Sequence, residues 1–200
     1  MRSVKTLLAV GAVAMTTLSC GDVVRQGRSP MFLVVESLAA DRGGDNEEEF
    51  GNPLLSDIDP VFNDIGEAVL RIEPKDVIAA ATVAPSSNNS VSITRYSVTY
   101  KRTDGRNTPG VDVPYPFDGV LTGNIVFGTP TTLAFNLVRH TSKLESPLAQ
   151  LAKNLTVIST IAEVTFYGQD LVGNDISATG YLQVEFANFA DPNRTEEPPA

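Results

Sequence analysis

The sequence predicts an all-β fold, a sandwich of about seven strands with one short helix in a crossover. Three observations predict it. Several segments alternate apolar and polar residues with a period of two, the pattern of half-buried strands. Clusters of Gly, Pro, Asn and Asp separate these segments at short intervals. Only Lys143–Asn154 carries helix signals, with Ser146 placed as an N-cap and Pro147 at the first helical position.

In chain order the first element is not a strand. Residues 1–19 begin with the basic Arg2 and Lys5, continue through the uncharged Thr6–Leu18 and place small residues before Cys20, the layout of a secretory signal peptide. The uncharged run is shorter than the roughly 20 residues a membrane-spanning helix needs, so it predicts a cleaved address. The stretch Thr16-Thr17-Leu18-Ser19-Cys20-Gly21 resembles the lipobox of bacterial lipoproteins, with Thr17 where that motif favours leucine. The resemblance implies that Cys20 becomes the mature N-terminus and carries a diacylglycerol and an N-acyl lipid such as palmitate. Cys20 is the chain's one cysteine, so no disulfide competes for it. Three acyl chains anchor stably where a single chain holds only marginally. In enterobacterial lipoproteins aspartate at +2 retains the protein at the inner membrane; Gly21 at that position implies an exported protein held at the outer membrane.

Residues 20–30 are polar and predict a tether. A single domain is expected over 31–190, long enough for a core that stands on burial alone. Met31–Ala40 is its first strand, followed by an acidic loop over 41–64. Gly66–Glu73 turns Ala68, Leu70 and Ile72 inward. In Val91–Arg102 the apolar phase changes from Val91 and Ile93 to Tyr96, Val98 and Tyr100, a one-residue slip that predicts a β-bulge near Thr94–Arg95. Gly119–Phe127 and Thr131–Val138 follow, then the helix, with Leu148 and Leu151 inward. Ile158–Phe166 and Ile176–Phe186 alternate most regularly, and Gln169–Asp175 joins them as a hairpin through Gly173-Asn174. Residues 191–200 are a polar, proline-containing tail.

Tyr96-x-Val98-x-Tyr100 with the turn at Asp104-Gly105 resembles the third strand of immunoglobulin-like and fibronectin-III-like sandwiches, and Glu163–Asn174 is similar to their penultimate strand and turn. Together, ITRYSVTYKRTDGRNTPGVDVPYPFDG and ISTIAEVTFYGQDLVGNDISATGYLQVEF resemble a group of uncharacterised bacterial lipoproteins with such a domain. That resemblance covers most of the mature chain. It implies a fold and an anchor, and carries over no catalytic residues.

Charge narrows the function. Removing residues 1–19 leaves 13 basic against 24 acidic residues, a net charge near −11. Such a chain repels phosphate backbones and anionic lipid surfaces, which argues against nucleic acid or headgroup binding as its work and leaves the lipid as its only hold on the membrane. His140 is the one histidine, and no G-x-S-x-G elbow accompanies it as a nucleophile. One histidine and one lipidated cysteine do not make a zinc set. The glycines at 105, 110, 119, 123 and 128 form no phosphate cradle. An activity without catalysis is expected, exerted through contacts with another envelope protein.

Calcium is the ion best accommodated, because it takes six to eight oxygens from flexible loops. Asp57, Asp59, Asn63 and Asp64 supply several, and Asp170 and Asp175 flank the hairpin turn; none has EF-hand spacing. A glycan-binding alternative rests on Tyr115, Phe117 and Tyr181 as stacking platforms in a chain without tryptophan. The main candidate for recognition is the excursion Arg102–Tyr115, with Arg102, Arg106, Asn107 and Tyr115 at one end of the sandwich, since loops on a rigid scaffold often carry binding. An open edge strand would offer β-augmentation as a second route.

Overall fold

The structure, a computed structural model, describes residues 28–43, 50–58, 61–75, 90–154 and 156–189. Cys20, Asp59, the signal peptide, nearly all of the tether and the tail lie outside these residues. Among the described residues eight strands run in chain order: β1 (Met31–Asp41), β2 (Leu54–Asp57), β3 (Asp64–Pro74), β4 (Ser90–Lys101), β5 (Phe117–Val126), β6 (Thr131–Val138), β7 (Ile158–Asp170) and β8 (Asp175–Ala187). Between β6 and β7 lie a four-residue helix α1 (His140–Lys143) and a 3₁₀ turn (Leu148–Lys153).

The strands form two sheets, β1-β3-β6 and β2-β8-β7-β4-β5. Every pairing is antiparallel except β2 with β8. This is the immunoglobulin-type division, with the first, second and fifth long strands of the chain in one sheet and the third, fourth and last two in the other. Alternation explains the layers. Ala68, Leu70 and Ile72 of β3 face Ala162, Val164 and Phe166 of β7 and Leu182, Val184 and Phe186 of β8 across one core, all nearly fully buried.

Immunoglobulin domains centre on a tryptophan against a disulfide; here an aromatic cluster fills that space. Phe135 meets Tyr96 and Phe166 edge-on, with ring centroids 5.1 and 5.4 Å away. Each such pair adds about 0.5–1.5 kcal/mol beyond its buried area. Glycines make the room: a Cβ on Gly66 would lie 2.5 Å from Phe135 Cζ, and one on Gly119 2.3 Å from Tyr96 Cε1. Tyr100 extends the layer, donating its hydroxyl to the Leu137 carbonyl at 2.6 Å. Burial pushes the Tyr100 phenol far up from its usual range.

The predicted bulge is present: β4 shifts register between Ile93 and Arg95 against both neighbours. The β7–β8 hairpin closes as expected, with Gly173 at φ 81° and the Gly173 amide donating to the Asp170 carbonyl.

Two expectations are corrected. Leu54–Asp57, expected within the loop, is an eighth strand. Its inward positions include Ser56, so it lacks the apolar alternation that marks the others, and its partner β8 lies far along the chain. The helix over Lys143–Asn154 is instead α1 and the 3₁₀ turn, and Ser146 makes no capping bond there. Leu148 and Leu151 are buried as expected, and a three-residue spacing suits a helix of three residues per turn.

Candidate functional site

The excursion from Arg102 to Pro116 leaves the end of β4 and returns into β5, and its backbone is tied internally. The Thr108 carbonyl accepts from the Val111 and Asp112 amides at 3.2 and 2.8 Å, and the Gly110 amide donates to the Val113 carbonyl at 2.8 Å. The Thr108 amide donates to Asp112 Oδ2 at 3.1 Å. Gly110 takes φ 76°, and a Cβ there would meet the Tyr115 hydroxyl at 2.3 Å, so the ring lies across the glycine. Val113 is buried and pins the excursion to the core, while Val111 and Tyr115 stay 66% and 55% exposed.

At the root, Asn107 Oδ1 accepts from the Arg102 amide at 2.7 Å. Asp104 bridges two cations: Oδ2 accepts from Arg102 Nη2 and from Arg106 Nη2, both at 2.8 Å. Hydrogen bonds from Arg102, then Arg106, hold the Asp104 carboxyl well below the usual carboxylate range. The structure therefore brings Arg102, Arg106 and Asn107 together, with Tyr115 on the neighbouring turn. Part of the donor capacity of both arginines is spent on Asp104.

Of the expected calcium ligands Asp59 lies outside the described residues, and the others engage protein donors. Asp64 is fully buried, and its Oδ1 accepts from Lys143 Nζ at 2.7 Å while Oδ2 accepts from the Ser56 hydroxyl at 2.5 Å. Burial pushes the Asp64 carboxyl above its ordinary range, and Lys143, Ser56 and the Gly43 amide pull it back. Asn63 Oδ1 accepts from the His140 amide at 2.7 Å and so serves the N-terminus of α1. Asp57 Oδ1 accepts from the Phe189 amide at 3.2 Å. In the hairpin, Asp170 accepts from the Val172 and Asn174 amides and Asp175 from Gln169 Nε2. Each carboxylate thus faces a different protein donor, and among the described residues no three His, Cys, Asp or Glu side chains gather as a metal set.

The aromatic candidates sit in different surroundings. Phe117 is covered by the Arg139 guanidinium, 3.9 Å above its ring. Tyr181 stands 62% exposed on the outer face of the five-stranded sheet. Its neighbours on that face are polar apart from Ile161: Glu163 lies directly across the ladder and pairs with Lys101, and Thr165 and Thr179 bond through their hydroxyls at 2.9 Å.

Lys143 and Ser56 were not legible as partners of Asp64, although one signal existed. Extending the inward series Ile72, Leu70, Ala68 back by twos reaches Gly66 and Asp64. A carboxylate on a core face requires a partner. Fold and surface together define a β-sandwich with an internally hydrogen-bonded loop between β4 and β5. No protein-family model matches the chain, and no curated protein matches it.

Proposed function

We propose that the protein is a lipid-anchored module of the cell envelope, held at the outer membrane through Cys20, that works through protein contacts and not through catalysis. One observation carries the contact surface: Val111 and Tyr115 are held in solvent on a loop whose backbone is bonded internally and pinned by Val113. Exposed apolar groups on a rigid loop bury on a partner with little conformational entropy to lose. Tyrosine is also favoured at interface centres. The anchor rests on the lipobox resemblance.

The test places a photo-crosslinking residue at position 111 in intact cells, in the wild type and in Cys20→Ala. One envelope protein captured only by the anchored form supports both halves of the reading. Equal capture of abundant bystanders by both forms removes it. A glycan-binding reading has its own observation, the exposed Tyr181 amid hydroxyl and carboxylate groups. Saturable binding on a glycan array that Tyr181→Ala abolishes would favour that reading.

A further inference from the structure

A cleft of about 530 Å³ opens where the start of β1 and the end of β3 meet the five-stranded sheet. Five of its lining residues matter here: Arg95 and Tyr167 on the sheet side, Lys75 and Phe32 on the other, and Asp175 at the start of β8. The β4 bulge places Thr94 and Arg95, two successive residues, both in solvent. Bulges re-aim side chains in this way. The Arg95 guanidinium lies on the Tyr167 ring, 3.7 Å from its centroid. Facing it, the Lys75 ammonium sits 5.1 Å from the Phe32 centroid. Two cations, each seated on an aromatic ring, Arg95 in β4 and Lys75 just past the end of β3, therefore border one cleft of an acidic protein.

Arg95 is the informative one. Among the described residues its ion-pair contact is Asp118 Oδ1 at 4.0 Å, beyond hydrogen-bond reach, and its side chain is 52% exposed. Stacking fixes the guanidinium plane, so a bidentate acceptor can engage the N–H fork with little further loss of freedom. Asp175 adds a carboxylate to the same lining and keeps one oxygen on Gln169. It opposes an anion electrostatically without blocking Arg95.

We propose that this cleft binds a phosphate group, with Arg95 as its bidentate donor and Lys75 as the second charge. The volume falls in the range that accommodates a whole small ligand around that group. A lipid headgroup is one source. Ser29 lies at the cleft and nine residues from Cys20, so an extended tether spans at most about 30 Å. A soluble phosphorylated compound is the other source. The site is distinct from the Val111–Tyr115 loop.

The test uses the full chain with Cys20→Ala, titrated by calorimetry with inorganic phosphate, and by sedimentation with phosphatidylglycerol or phosphatidylcholine vesicles. Saturable phosphate binding is expected, weakened about tenfold or more by Arg95→Gln and tightened by Asp175→Asn, with both variants melting like the parent. Binding to phosphatidylglycerol but not phosphatidylcholine, competed by free phosphate, identifies a headgroup; phosphate binding without vesicle binding identifies a soluble ligand. No binding of either probe overturns the proposal. So does a phosphate affinity that Arg95→Gln and Lys75→Gln both leave unchanged.

Discussion

Asp64 and Asp104 each hold a cation through a 2.8 Å or shorter hydrogen bond, one inside the sandwich and one on its outermost loop. Their carboxyls are pushed in opposite directions, Asp64 up by burial and Asp104 down by Arg102 and Arg106. In the core, loss of water dominates, and the Lys143 bond offsets only part of it. On the loop, water and salt screen the charges, and the bonds chiefly set geometry. The same pairing therefore decides different things. Inside, it joins α1, β2 and β3, because Lys143, Ser56 and Asp64 come from three elements. Outside, it sets the shape of the loop between β4 and β5.

The largest expected effect breaks the inner pair. Lys143→Met leaves Asp64 without its cation and should cost about 3–5 kcal/mol, read as a lowered urea midpoint. Asp64→Leu combined with Lys143→Met should recover most of that loss, since a buried pair exchanged for apolar groups is often neutral. A double variant as unstable as the single would show that the pair itself, and not an orphaned charge, holds the crossover.

Acid titration sharpens the contrast, because the two signs differ. Asp64, raised in the folded state, contributes stability that is complete below the ordinary carboxylate value and is lost as pH rises through its folded value. Asp104, depressed, contributes stability present above the ordinary value and lost as pH falls through its folded value. Stability measured from pH 2 to 7 should therefore change slope differently in Asp64→Asn and Asp104→Asn. The first variant removes a decline towards neutral pH, and the second removes a decline into acid. Matching slopes in both would refute the opposed shifts.

The smallest effect concerns the loop. Asp104→Ala should lower the melting midpoint only slightly, by the part of its contribution that survives solvent screening and far less than Lys143→Met, while amide exchange accelerates at Arg106, whose N–H donates to Asp104 Oδ1. A large drop in the midpoint would mean that the excursion belongs to the core's cooperative unit.

Strands β7 and β8 were legible because Ile158–Phe166 and Ile176–Phe186 place their apolar residues mainly at alternate positions. The β4 bulge was legible because a phase slip is written in the order of apolar residues. Strand β2 was not, since four residues ending in Ser56 and Asp57 carry no period that a distant partner could reveal. Nor was α1: His140–Lys143 is too short for an apolar stripe, and its one buried side chain is a lysine. The grouping of Arg102, Arg106 and Asn107 could be read because they are near neighbours in sequence. Arg95 and Tyr167 could not, because their meeting depends on the β4–β7 register.

The position of β8 between β2 and β7 bears on the order of events in the cell. A chain emerges from the ribosome with β2 long before β8, so Leu54–Asp57 must wait, without its neighbour in the sheet, while everything from Asp64 to Asp170 is made. The sheet is closed by the strand made last among those described, and a chain stalled before Asp175 would leave both β2 and β7 with bare edges. If the chain is exported as proposed, completion of translocation is the moment at which an adhesive chain becomes a finished domain.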